Sequence, residues 1–212
     1  MKCHCSKIML TEGIAAIAIV FVLAAVAPAQ YRSPSPREVV ETYCRLDADG
    51  TQLVHGGWLR LARGFIPQEI HPGIVKVVHF KLDVIAEYSV GNAVIEGNGT
   101  ARVKVTYSYI GEIDLGTLTF SPSKPAPVRV DEYYDLLLTG KHFDFNSNDE
   151  EALLNGPRGW KIVGFPRAPH VMIDIAVRHV GELRDKASSK ATKQDANLTI
   201  AALNQLRPYA GR

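Results

Sequence analysis

Val128–Gly140 reads VRVDEYYDLLLTG and Gly159–Pro166 reads GWKIVGFP, with a polar excursion between them that closes on Asn155-Gly156-Pro157-Arg158. In the first segment Val128, Val130, Tyr134, Leu136 and Leu138 share one parity, and Arg129, Asp131, Tyr133 and Asp135 share the other. A period of two is the pattern of a strand with one buried face. Trp160 and Ile162 alternate with Lys161 and Val163 in the second segment, until Pro166 ends it. Both segments are predicted to be late strands of a curved sheet, with the earlier strands and the first helix packed against them.

Working back from there, Ala101, Val103, Val105, Tyr107 and Tyr109 face one side of a predicted strand, and Arg102, Lys104, Thr106 and Ser108 the other. Asn98-Gly99 before it is a strong two-residue hairpin signal. From Ile74, the even positions Val78, Phe80, Leu82, Val84, Ala86, Tyr88 and Val90 predict one long half-buried strand whose polar side carries His79, Lys81, Asp83, Glu87 and Ser89. Gly91-Asn92 reads as a turn into a short strand over 93–97. Glu112–Phe120 extends the sheet, and Ser121–Pro127 (SPSKPAP) is a proline-rich break with little ladder capacity.

The helices flank this sheet. Pro36 suits a first helical turn, with Ser35 as N-cap and Glu38 in that turn. Val39, Val40, Tyr43, Cys44 and Leu46 recur at close to helical spacing, so a helix is predicted from Pro36 to about Asp49, ended by Gly50. Trp58, Leu59, Leu61 and Ala62 allow a short second helix before Gly64. Residues 139–158 read as a loop, with one helical turn at 149–154. After Pro169, a helix over Val171–Lys186 carries the stripe Ile173, Val177, Val180 and Leu183. A polar linker over 188–194 leads to a short helix over 197–206 on Leu198, Ala202 and Leu206.

The beginning of the chain is of another kind. Lysines at 2 and 7, an apolar run from Ile14 to Ala27 and the small-residue sequence Ala27-Pro28-Ala29 follow the order of a secretory signal cleaved after Ala29. The run of about 14 residues falls short of the roughly 20 needed to span a bilayer, so cleavage is read in preference to an uncut anchor, and no later stretch has spanning length. The expected domains are residues 1–29 as signal, 30–35 as linker, 36–186 as the folded domain and 187–212 as a polar linker with a short helix. Localisation is then exported, periplasmic or extracellular.

Charge and cysteine content narrow the classes. The 24 basic and 22 acidic residues fall to 22 and 21 once Lys2, Lys7 and Glu12 leave with the signal. No basic cluster of the kind that binds nucleic acid appears. Only Cys44 survives cleavage, so no intramolecular disulfide can form despite an oxidising destination. The histidines show no metal-ligand spacing, and there is no nucleophile elbow, phosphate loop or dinucleotide fingerprint. Neither a metal nor a cofactor is expected.

An N-terminal helix before a strongly curved antiparallel sheet, with a further C-terminal helix, is an α+β plan in which the helix fills the concavity. On Pro36–Gly50 (PREVVETYCRLDADG), the two-period strands and the closing pattern of Tyr134, Leu136 and Gly159–Ile162, residues 36–185 resemble the nuclear transport factor 2-like superfamily. The resemblance implies a cone in which a long sheet wraps a helix around a pocket. Such folds host isomerases, dehydratases, hydrolases, ligand binders and assembly domains, so fold does not choose among them.

Candidate site residues follow from placement. Glu132 shares the apolar parity of its strand, where a carboxyl is either raised in pKa or paired, and such groups mark functional sites. A bulge that turns it outward is the plainer alternative. The resemblance to ketosteroid isomerase-like members makes Tyr43 a candidate oxyanion donor, with Glu132 or Asp47 as base; a tyrosine in the core is the competing reading. Trp58, Tyr107, Tyr109 and Tyr134 are candidate pocket-lining aromatics, and core packing suits them equally. The function expected from the sequence is a non-catalytic domain that binds an apolar small molecule or assembles as a homodimer through its sheet face. The alternative is a cofactor-independent isomerase, dehydratase or hydrolase using a pocket carboxylate and tyrosine.

Overall fold

The computed structural model describes residues 33–67, 80–139, 159–163 and 168–209, all within one compact unit, Ser33–Arg212. Helix α1 (Pro36–Ala48) starts on a capping box: Ser35 Oγ accepts the Glu38 N–H at 3.3 Å and the Ser35 N–H donates to Glu38 Oε2 at 2.6 Å. Two of the helix's orphan donors are thereby satisfied. Gly50, at φ 76°, turns the chain out of the helix, and a Cβ there would stand 2.6 Å from Ile175 Cγ2. A 3-10 turn (Thr51–Leu53) and helix α2 (Gly57–Phe65) follow, α2 running through Gly64.

The six strands are β1 (Lys81–Glu96), β2 (Thr100–Asp114), β3 (Thr119–Pro122), β4 (Val128–Leu138), β5 (Trp160–Val163) and β6 (His170–Met172). Their order is β5-β4-β2-β1-β6, with β3 paired to the far end of β2. All pairings are antiparallel except that of β6 with β1. Strands β1 and β2 meet at Asn98-Gly99, where φ is 53° and 73°. Two positive φ values in succession are what a two-residue hairpin turn demands.

The sheet curls into a half-barrel with α1 against it, and each face has its own core. On the α1 side Val39, Val40, Tyr43 and Cys44 pack with Ile85, Val103, Val105, Tyr107, Tyr134, Leu136 and Ile162. On the other side Leu82, Val84, Ala86, Ile110 and Ile113 pack with helices α3 (Ile173–Lys186) and α4 (Lys190–Leu206) through Ala176, Val180, Ala196 and Leu203. On the outer side of β2 and β4, Arg102–Asp135 (2.6 Å) and Lys104–Asp131 (2.8 Å) form exposed cross-strand pairs, each worth little on its own.

Several expectations change here. Residues 82–90 do not keep one face: the register shifts between Ile85 and Glu87, so Leu82, Val84 and Ala86 serve the outer core while Tyr88 and Val90 border the inner one. A bulge adds a residue to one strand and reverses the parity beyond it. Gly91-Asn92 is a further such irregularity inside an unbroken β1, not a turn. Val171 belongs to β6, so α3 begins at Ile173. Residues 190–194 are helical, and the buried face of α4 is Ala196, Thr199 and Leu203, with Leu198 63% exposed. The predicted start of β1 at Ile74–His79, the signal over 1–29 and most of the 139–158 excursion lie outside the described residues.

Candidate functional site

Asp47 lies one turn beyond Tyr43 on the inward side of α1, and it is 1% exposed. A buried carboxylate needs donors, and the chain brings two, one from the next turn and one from far along the sequence. The 3-10 turn after Gly50 doubles back so that Gln52 Nε2 donates to Asp47 Oδ1. The His170 backbone N–H donates to Asp47 Oδ2 at 3.0 Å, from 123 residues away. The His170 ring stands beside the same oxygen, Nδ1 to Oδ2 3.7 Å, an ion-pair distance too long for a hydrogen bond.

His170 opens β6, and its ladder partner on β1 is Asp83. Its imidazole lies flat on the Tyr107 ring, centroids 4.0 Å apart and planes 5° from parallel. The ring is 4% exposed as a residue. While Nδ1 faces Asp47, Nε2 is 3.5 Å from Glu132 Oε1 and 3.9 Å from Asp83 Oδ2. The imidazole thus stands between a fully buried carboxylate on one side and two partly exposed ones on the other. The Glu132 side chain, 31% exposed against 20% for Asp83, is the nearer to Nε2 and the more exposed of the two.

Electrostatics follow from that geometry. Burial alone would lower the pKa of His170, but Asp47 and Glu132 favour the imidazolium and together raise it to about 9. Burial raises Asp47, against the opposing pull of His170 and Gln52. Burial also raises Asp83, again opposed by His170. Tyr109 is pushed upward by burial first, then by the charges of Asp83 and Glu112. At neutral pH the site therefore holds a cationic His170.

A stability consequence can be measured. A histidine titrates near 6.5 when unfolded and near 9 here. Its contribution is complete below pH 6.5, shrinks as pH rises through that window because the unfolded chain releases its proton first, and is gone above pH 9. Across that interval roughly 3 kcal/mol of unfolding free energy should be lost. Urea unfolding at pH 6.5 and 9 checks it, and the His170→Gln variant should show a much smaller change.

The candidate residues from the sequence divide. Glu132 keeps its inward parity, and Asp47 and Glu132 meet through His170. Tyr109 stands near enough to Asp83 to feel its charge. Tyr43 sits in the core, edge-on to Phe65, and its hydroxyl accepts from Gln52 at 3.4 Å; the group beside Glu132 is His170 in its place. Tyr107 and Tyr134 are buried in the inner core, with hydroxyls 2.7 Å apart. Trp58 belongs to a separate small cluster with Ala62 and Ile66. Cys44 is buried against the Tyr107 hydroxyl, and burial pushes its thiol up to about 12, the chemistry of an inert thiol.

His170, Asp83 and Gln52 escaped the sequence reading. Asp83 was assigned to the solvent side, and the bulge after it explains the error. His170 looked like one of several scattered histidines. The signal available was its place at the head of a short apolar run, His170-Val171-Met172-Ile173, directly after Pro169.

Among the described residues no group of three or more His, Cys, Asp or Glu is arranged to hold a metal ion, and no helix is long and apolar enough to cross a membrane. Comparison with protein-family models, with curated proteins and with solved structures finds no match to the chain.

Proposed function

We propose that this is a cofactor-independent proton-transfer enzyme acting on a small molecule, an isomerase or dehydratase before a hydrolase, on a fold resembling the nuclear transport factor 2-like cone. The observation that carries the reading is the buried His170 imidazole, stacked on Tyr107 between Asp47 and the partly exposed Glu132. A cation fixed behind a surface-reaching carboxylate orients that carboxylate and keeps it ionised. Glu132 then takes a proton from carbon next to a carbonyl, becomes the neutral acid, and returns that proton at a second position or to a departing hydroxyl. His170 serves as the fixed cation of the scheme, with the buried Asp47 carboxylate beside its other ring nitrogen.

Proton abstraction of this kind can be seen without the physiological substrate. In D2O at pH 7, cyclic ketones, 1,3-diketones and β-hydroxy ketones are incubated with the protein, and deuterium uptake is followed by NMR. At least one compound should exchange faster than in buffer. Exchange at the buffer rate for every compound would sink the enzymatic reading.

A second reading, a binding or assembly domain, is favoured by the exposed apolar residues Val94, Ile95, Leu137 and Leu138 at the hairpin end of the sheet. Homodimerisation through the outer face there, which Val94 and Leu137 share, predicts a dimer in sedimentation at micromolar concentration that Leu137→Asp with Val94→Asp dissolves; a monomer throughout removes the assembly form of this reading. Export is part of the proposal as well, on the basic, apolar and small-residue order of residues 1–29. The full-length chain, expressed in a bacterial host, should be recovered from outside the cytoplasm beginning at Gln30. Recovery with Met1 in place would refute cleavage.

A further inference from the structure

We infer that Gln52 is the positioning residue of this site: its side-chain amide fixes the Asp47 carboxylate so that Oδ2 stays committed to His170. This rests on the acid–base reading above and adds to it the part that aligns the buried pair. The Asp47 carboxylate can rotate about its terminal bond, a broad and nearly two-fold torsion. Two donors pin it, Gln52 Nε2 on Oδ1 and the His170 backbone N–H on Oδ2. With Gln52 gone, Oδ1 has no donor among the described contacts, and the carboxylate is free to turn toward whatever proton is near.

Packing alone does not account for a glutamine here. Gln52 is buried, a rare condition for its type. Its Oε1 has no hydrogen-bond partner among the described residues, so the amide bears a desolvation cost that leucine or methionine would avoid. Position 52 reaches Asp47 only because Gly50 takes φ 76° and the 3-10 turn folds back over the end of α1. The neighbouring Leu53 packs into the outer core, which leaves residue 52 to face the inner one.

The charged and titratable groups around the His170 ring are Asp47 on α1, Asp83 on β1, Tyr107 on β2 and Glu132 on β4, with Tyr109 behind Asp83. The test is the NMR titration of the His170 ring, assigned by its loss in His170→Gln. Wild type should titrate near 9. Gln52→Met, close in shape but without donors, should lower the proton affinity of His170 about tenfold, one pKa unit, because a turned or neutralised Asp47 attracts it less. Gln52→Asn keeps an amide that is too short to reach, and it should shift the titration the same way. In an Asp47→Asn background Gln52→Met should change nothing further.

An unmoved or raised titration in both variants overturns the inference, as does a full effect without Asp47. If neither variant folds, Gln52 is a stability residue and the inference is likewise overturned. The experiment involves no substrate. A wild-type titration near 6.5 would therefore defeat the charged-histidine site itself, whereas a normal wild type with silent variants would defeat only the role of Gln52.

Discussion

Replacing Asp47 with alanine is expected to cost about 3–5 kcal/mol of unfolding free energy at pH 7, the usual penalty for removing one partner of a buried ion pair. Two donors lose their acceptor at once, the Gln52 amide and the His170 backbone N–H, and the His170 imidazolium loses its buried counter-ion. The imidazolium then relies on Glu132 and Asp83, both more exposed to water than Asp47, and its pKa should fall from about 9. The loss should register as a lower urea midpoint at unchanged slope. Replacing Asp47 and His170 together by leucine should be less damaging than Asp47→Ala alone, because no buried charge is then stranded. A cost under about 1 kcal/mol for Asp47→Ala would mean that the pair is absent in solution.

How much of this could be read in advance depends on the range of each interaction. The start and end of α1 were legible because Ser35, Pro36, Glu38 and Gly50 act within a few residues of where they stand. The β1–β2 hairpin was legible for the same reason, since Asn98-Gly99 alone supplies both positive φ values. What failed was set by partners elsewhere. Nothing local at Ile85–Glu87 announces a bulge; it becomes necessary once β1 must serve α1 on one face and α3 and α4 on the other. Strand β6 is three residues long and gains its identity only from pairing with β1. In α4, Leu198 looked like a core residue by spacing, but Thr199 is the buried one, its hydroxyl donating to the Leu118 carbonyl at 2.7 Å.

The site repeats that division. Glu132 could be singled out because an acid on the apolar parity of a strand is a local anomaly. Asp47 could be named from its helix. The residue that joins them could not, because Asp47, Asp83, Glu132 and His170 come from α1, β1, β4 and β6, and only the closed sheet brings His170 between the others. Tyr43 was chosen as the polar partner from a resemblance and proved to be a core tyrosine.

Glu132→Gln should separate chemistry from folding. The amide is nearly isosteric, and the side chain is already partly exposed, so stability should change by about 1 kcal/mol or less. Proton abstraction, by contrast, should fall by roughly 10²- to 10⁴-fold, the contribution typical of a positioned general base, since an amide cannot accept the substrate's proton at neutral pH. The decisive measurement is deuterium exchange next to the carbonyl of one responsive compound, followed for the wild type and Glu132→Gln side by side at pH 7. A wild-type rate well above buffer that collapses to the buffer rate in Glu132→Gln, with both proteins equally folded, is the result predicted. Equal rates in the two proteins would contradict the account.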